Sequence, residues 1–412
     1  MENRRIGFQA DALLAPGQAL TLYFARAALR EPRIEFVPLG HALRRVIAQR
    51  VVTDRAYPAA PRSAMDGFAI RSSETPGRLR LAGEVRMGQS WNGALPQRAA
   101  VRIPTGGMLP DGSDAVVPIE DARLNGEIVE IAEAVPSGDC VTPAGSDMRA
   151  GEALLEPGRC VRAPELGVLA TLGVASVAVY RRPVVGVVSS GDELVDITAQ
   201  PGPAQVRDSN RWAVAGSLEA MGAAVRHLPT APDEPARLEA LLREAVATCD
   251  AVVLTGGSSV GDRDFTPQIV ASLGSPGVIV HGLRVKPGKP TLLACVDGKP
   301  IIGLPGNPTS AIVILEAVAA PIIAQLTRMR RAESTLQARL ASAVRKPRGW
   351  TWYLPVRLDE AAGDCAAYPL ELRSTSVSLL ARASGFLVLD ETVESVPAGA
   401  PVAVTHFLVG GN

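Results

Sequence analysis

Short apolar runs that each end in a glycine-rich polar loop set the rhythm of the chain between residues 184 and 310. PVVGVVSS runs into GDEL, AVVLT into GGSSVGDRD, and KPIIGL into PGNP. Runs of this length bounded by turn signals read as buried strands, and the segments between them carry helical spacing. Asp208-Ser209-Asn210 offers an N-cap for RWAVAGSLEAMG, which Gly222 ends. Strand AAVRHL, helix PARLEALLREAVA, strand AVVLTG and a short helix after Asp264 follow. Then come strand VIVHGLRV, the hairpin TLLACV-DG-KPIIGL, and a helix from Pro308 to Leu326 with Asn307 as N-cap and Pro308 at its first position. This alternation predicts a doubly wound α/β domain over 183–330.

The flanking patterns differ. Residues 17–50 read as helical, with one amphipathic segment at Ala19–Leu29 and a second beginning at Gly40 and running through Ile47. From 51 to 142 the chain breaks into strand-like runs between Gly/Pro turns, such as LRLAGEVRMG, AVRIPTGG, DAVVPIE and EIVEIAE, with Asn125-Gly126 as a two-residue hairpin signal. Helix is expected again at Ala163–Leu172, closed by Gly173, followed by strand ASVAVY, and Arg181-Arg182-Pro183 marks a boundary. If 10–50 and 143–182 pair as one elongated linker domain, the β region 51–142 is an insertion within it. Residues 335–412 return to strands and form a further small β domain. No repeat of solenoid period is present.

Composition narrows this picture. At 412 residues, two to four domains are expected. With 42 basic and 42 acidic residues there is no net field to draw nucleic acid or an anionic membrane, and neither partner is expected. Five dispersed cysteines and four histidines show neither disulfide nor zinc spacing, which suits a reduced, cytoplasmic chain. The N-terminus lacks a signal-peptide core, and the longest apolar run, Ala311–Leu326, contains Glu316, Pro321 and Gln325 and reads as a buried helix.

In an open α/β sheet, ligands bind beyond the carboxyl ends of the strands. The loops 189–194, 255–264 and 304–308 leave such ends and are expected at one rim. Glycines 191, 256, 257, 261 and 306 let backbone N–H groups approach an anion. Neither G-x-x-x-x-G-K-[ST] nor G-x-G-x-x-G is present, which disfavours a P-loop NTPase and a dehydrogenase. Asp192, Glu193, Asp262 and Asp264, with Asp233 and Glu234, supply carboxylates suited to Mg²⁺ beside an anion. Lys286 and Lys289 bracket Pro287-Gly288 and can neutralise an oxyanion. RSAMDGFAI (62–70) and IPTGGMLPDGSDAVV (103–117) read, by themselves, only as sharp turns.

Taken in order, SAMDGFA, TGG-x-LP-x-G-x-DAVV, SSGDEL, DSN, GGSSVGDRD, KPGKP and GLPGNP resemble the molybdopterin molybdenumtransferase family, of MoeA type, with the C-terminal region of gephyrin as eukaryotic counterpart. The resemblance runs from about residue 10 to the end. It implies an L-shaped, four-domain subunit in a homodimer, with the α/β domain binding molybdopterin and a barrel-like C-terminal β domain. It further implies insertion of molybdate into adenylylated molybdopterin, yielding molybdenum cofactor and AMP, with Mg²⁺, and contact with other proteins of that biosynthesis.

The catalytic positions implied are Asp66, Thr105, Asp147, Glu193, Asp233, Asp264 and Lys286, with Glu193, Asp233 and Asp264 at the metal. Substrate-binding positions are Ser190, Gly191, Gly256, Gly257, Ser258, Lys289, Pro305, Gly306, Asn307 and Pro308. Asp66, Thr105 and Asp147 would close the cleft from a second subunit. The dithiolene sulfurs that hold molybdenum belong to the substrate, so no cysteine cluster is required. The chain departs from the family at Arg62, where Asn is common, in the arginine-poor SGDCVTPAGSDM, and at Gly282, where some members carry lysine and where Arg284 offers charge nearby. These departures leave a non-catalytic molybdopterin-binding or cofactor-delivery paralogue as the alternative.

Overall fold

The computed structural model describes residues 13–256, 265–329, 335–361, 364–371 and 376–407. Two compact units are present. One comprises the chain to Ala48, Gly158–Pro164 and everything from Ser176; the other comprises Gln49–Pro157 and Glu165–Ala175.

The first unit is built on a sheet of six strands: β1 (Val184–Ser189), β2 (Ala224–His227), β3 (Ala251–Thr255), β4 (Pro276–His281), β5 (Leu292–Val296) and β6 (Lys299–Leu304). Their order is β2-β1-β3-β6-β5-β4; the first four are parallel, and β5 runs antiparallel to both its neighbours. The helices are α1 (Ser209–Ala220), α2 (Pro235–Thr248), α3 (Thr266–Ser272), α4 (Pro308–Ile314) and α5 (Ala320–Thr327).

The period of two along the strands sorts the core. Val185, Val187, Val253 and Ile302 face a cluster with Val214 and Leu218 of α1 and Val313 of α4. Val188, Val252, Leu254 and Ile301 face Leu238 and Leu242 of α2 and Ile269 of α3. Helices therefore cover both faces, as near-continuous apolar strands require.

Asp208 caps α1 by accepting from the Arg211 amide at 3.1 Å, and Asn307 caps α4 by accepting from Ser310 N at 3.2 Å. The expected long last helix is helical throughout but changes character at Leu315–Ala319, a π-helical turn between α4 and α5. Pro321 has no N–H to return to Ala317, which relaxes the ladder there. By length and composition Pro308–Thr327 is apolar enough to cross a membrane, yet 67% of its most apolar window is buried within the fold.

Upstream, a helix spans Pro16–Arg26 and a strand spans Ile34–Pro38, which pairs antiparallel with Ser176–Tyr180. The helix expected from Gly40 does not form. Arg44 has φ +59°, and Val46 and Ile47 bridge instead to Cys160 and Val179, burying both side chains. Tertiary pairing overrides local helical spacing here. VIVHGLRV also divides at Gly282, giving β4 and a separate strand Val285–Lys286. Beyond α5, strands Thr351–Ala361, Asp364–Pro369, Thr335–Leu340, Pro401–His406 and Gly385–Leu389 are hydrogen-bonded in that order, and the last pairs back to the first, closing a five-stranded barrel. Val285–Lys286 joins its Thr351 edge in parallel.

The second unit carries a six-stranded sheet around Gly67–Ile70 and Ala99–Ile103. Phe68 and Ile70 pack on one face with Val117 and Val129, and Ala69 packs on the other with Val101 and Ile103. The hairpin near residue 125 forms with its turn one residue later than the Asn-Gly signal suggested. Asn125 pairs with Ile128, leaving Gly126-Glu127 as the turn.

Candidate functional site

The parallel strands β1, β3 and β6 end in register: Ser189 stands opposite Thr255, and Thr255 opposite Leu304. The loops that follow therefore start from adjacent points on one rim. The chain reverses its direction of strand addition between β1 and β3, so this rim is also a topological switch point.

Hydrogen bonds tie the loops together. Ser190 N donates to Thr255 O at 2.9 Å, Gly191 N to Ala231 O at 3.2 Å, and Ala231 N to Ser189 O at 2.8 Å. Gly256 has φ +84°, and a Cβ there would lie 2.2 Å from Ser190 O, so only glycine lets the two loops touch. Gly306 lies against Gly256, and its carbonyl accepts from Asn210 Nδ2 at 2.8 Å.

Carboxylates gather beside this junction. Ser190 Oγ donates to Asp233 Oδ1 at 3.3 Å, and Asp233 N donates to Asp192 Oδ1 at 3.1 Å. Glu193 folds back over Gly191, its Oε2 2.5 Å from where a Cβ would stand. Asp192, Glu193 and Asp233 are all exposed. Among the described residues no group of three or more His, Cys, Asp or Glu is set as a metal cage. A few exposed hard oxygens beside an anion loop fit Mg²⁺, which keeps most of its waters and takes one or two protein carboxylates. Gly257, Ser258, Gly261, Asp262 and Asp264 lie outside the described residues.

The lysine turn forms a second part of the site. Gly288 sits at φ +106°, and a Cβ there would lie 2.1 Å from Ile314 Cγ1, so the turn packs directly on α4. Lys286 and Lys289 line a pocket of about 540 Å³ with Asn307, Ser310, Pro347, Trp350 and Trp352. Thr309 at the start of α4 donates its hydroxyl to Ser376 O at 2.6 Å, fastening the helix to the C-terminal part of the chain. Pro305 is buried behind the Gly306 loop, and Pro308 opens α4.

In the second unit, Asp66 and Thr105 meet. Thr105 N and Oγ1 both donate to Asp66 Oδ1, at 2.7 and 3.0 Å. Ser63 N donates to Gly107 O at 2.9 Å and Gly106 N to Ser63 O at 2.7 Å, zipping the SAMDG and TGG loops together. Arg62 Nη1 adds a bond to Gly106 O at 2.6 Å, bracing the same pair of loops. Asp147 is exposed, its amide donating to Tyr57 O at 3.1 Å.

The structure thus groups Ser190, Gly191, Glu193, Asp233, Gly256 and Gly306 at the rim, Lys286 and Lys289 with Asn307 in the pocket, and Asp66 with Thr105 in the second unit. Reasoning from the sequence passed over Trp350, Trp352 and Ser310. Trp352 lies in the barrel strand Thr351–Ala361 and Trp350 just before it, some sixty residues from the lysines, and no local signal links the two. Asn210 was visible only as part of the DSN cap.

Residues 14–173 match the family described as MoeA N-terminal region (domain I and II), residues 186–325 the probable molybdopterin binding domain, and residues 337–407 the MoeA C-terminal region (domain IV). The chain is 32% identical over 388 residues to a molybdopterin molybdenumtransferase of Bacillus subtilis, covering 91% of this chain and 90% of that protein. It is 35% identical over 315 residues to one from Haemophilus influenzae, covering 74% and 78%. Its structure is similar to that of a molybdopterin biosynthesis MoeA protein from Pyrococcus horikosii, with a TM-score of 0.83, 31% identity, and 96% and 99% of the two chains covered. With successive family matches along its length and relatives of this identity and coverage, the chain belongs to the MoeA-type molybdopterin molybdenumtransferase family.

Proposed function

We propose that the protein inserts molybdate into adenylylated molybdopterin, releasing AMP and molybdenum-bearing molybdopterin. The observation that carries this reading is the in-register rim at Ser189, Thr255 and Leu304, where glycine loops and carboxylates adjoin the lysine pocket. Backbone amides of the Gly191, Gly256 and Gly306 loops are suited to the phosphate oxygens, and the N-terminus of α4 adds positive potential. Lys286 and Lys289 hold the oxyanion substrate. Glu193, Asp233 and Asp264 would hold Mg²⁺, which supplies charge neutralisation at the pyrophosphate as its P–O bond breaks.

The reading includes a homodimer in which Asp66, Thr105 and Asp147 come from the second copy, a cytoplasmic location, and contact with other proteins of the same biosynthesis. It also includes the four-part division 10–50 with 143–182, 51–142, 183–330 and 335–412. The antiparallel pairing of Ile34–Pro38 with Ser176–Tyr180 supports the two-segment part of that division. The relatives' names give no support to a non-catalytic paralogue.

The test is to incubate purified protein with adenylylated molybdopterin, Mg²⁺ and molybdate and to follow AMP. Stoichiometric binding of the pterin without AMP release would overturn the transferase reading.

A further inference from the structure

The pocket around the lysine turn is walled by two tryptophans that belong to none of the stretches that carry the family resemblance. Their placement follows from strand pairing. Val285–Lys286 runs parallel to Thr351–Trp352, with Lys286 directly opposite Trp352, and Thr351 N donates to Arg284 O at 3.1 Å. The pairing sets Lys286 Nζ 4.2 Å from the centroid of the Trp352 ring. Lys289 Nζ stands 6.0 Å from the Trp350 ring, and the Trp350 carbonyl is fixed by a 2.7 Å bond from buried Lys346 Nζ. Among the described residues, no carboxylate pairs with Lys286. The remaining walls of the pocket include Val285, Pro287, Pro290 and Pro347, all apolar.

A lysine on a four-carbon stem has many rotamers to lose when it binds an anion. A carboxylate partner would restrict it but cancel its charge. An aromatic face attracts the ammonium through the ring quadrupole and leaves a full positive charge available. We infer that Trp352 is a positioning residue for the oxyanion substrate. Its ring face holds the Lys286 ammonium group on the pocket without neutralising it. The inference rests on the proposed function for the identity of the oxyanion, and extends it to one residue of the C-terminal barrel.

The experiment replaces Trp352 site-specifically with a series of progressively fluorinated tryptophans, which keep the ring's shape while weakening its negative face. KM for molybdate is expected to rise stepwise to about tenfold, the size of a partly desolvated cation–π contact, with kcat and Tm unmoved. Calorimetric affinity for molybdate without pterin should fall in parallel. Trp352→Ala should reproduce the full effect in the wild type and add nothing in a Lys286→Met background.

A molybdate affinity and KM that ignore fluorination would overturn the inference. So would a Trp352→Ala variant that loses Tm and kcat at constant KM, or a wild type that binds no molybdate. AMP release by the wild type with a flat fluorination series sinks this inference alone. A fluorination-sensitive molybdate affinity without AMP release sinks only the transferase reading.

Discussion

The amide and the hydroxyl of Thr105 converge on a single oxygen of Asp66, at 2.7 and 3.0 Å. The amide first and the hydroxyl second favour the charged carboxylate and hold its pKa below the usual value of 3.8. A depressed carboxylate stabilises the fold above its unfolded pKa, and that contribution is lost as pH falls from 3.8 through the folded value. Asp66 is therefore ionised at neutral pH and adds no pH dependence there. Thr105→Val deletes the hydroxyl and keeps the amide. The Asp66 titration midpoint, read by carboxyl NMR, should move part of the way back up. An unmoved midpoint would show that the hydroxyl bond contributes nothing.

Gly256→Ala tests the contact between the rim loops. A methyl group 2.2 Å from Ser190 O, on a backbone at φ +84°, must push the loops apart. The cost is expected at roughly 2–4 kcal/mol, from left-handed strain plus overpacking. Urea denaturation should show it as a lower midpoint at constant m-value. A variant as stable as the wild type would mean that the loops part without cost.

The rim carboxylates make a separate prediction. Asp233→Asn keeps the size of the side chain and its contact with Ser190 while removing the charge. The Mg²⁺ concentration needed for half-maximal AMP release should rise by at least about 10- to 100-fold, the range seen when even a group that only supports a metal ligand is lost. Asp264→Ala, at a position outside the described residues, should leave the circular dichroism spectrum intact and abolish AMP release. Wild-type turnover in both variants would refute an acidic metal-binding rim.

Two buried tyrosines couple stability to alkaline pH. Burial pushes the Tyr353 phenol up to about 12, and burial, then the nearby Cys295, pushes Tyr23 up still further. Tyr23 also donates to Ala294 O at 3.3 Å. Above pH 10 the unfolded chain releases tyrosine protons that the folded chain keeps, so stability falls as pH rises. Each tyrosine contributes a slope of about 1.4 kcal/mol per pH unit, and the Tyr353 share levels off above its folded value. Tyr353→Phe should remove one such share from the slope of unfolding free energy between pH 10 and 12. An unchanged slope would place the phenol in contact with water.

Much of the fold was legible because local chemistry and tertiary demand agree. Asp208 and Asn307 cap the helices they were expected to cap, and the Asp297-Gly298 turn makes the hairpin between β5 and β6. Disagreement arose where a distant partner outbid local spacing. Val46 and Ile47 carry a helical pattern, yet they bridge to Cys160 and Val179, more than a hundred residues away. The site divides in the same way. Gly256 and Asp233 could be assigned to a rim because the carboxyl ends of parallel strands must share one edge. Trp352 could not be assigned, because its neighbour Lys286 is reached only when a barrel strand adds beside the lysine turn.

By itself, then, the sequence determined which segments are strands and helices of the α/β sheet and which loops would meet at its rim. It did so because burial on both faces, capping and glycine backbone freedom are written locally, and the ordered motifs pointed to one family. Only the tertiary structure decided which charges share a pocket and what holds them there. The Lys286–Trp352 contact, the Gly256–Ser190 approach and the two hydrogen bonds from Thr105 to Asp66 depend on register between segments far apart in the chain, and register is settled only when the whole core packs.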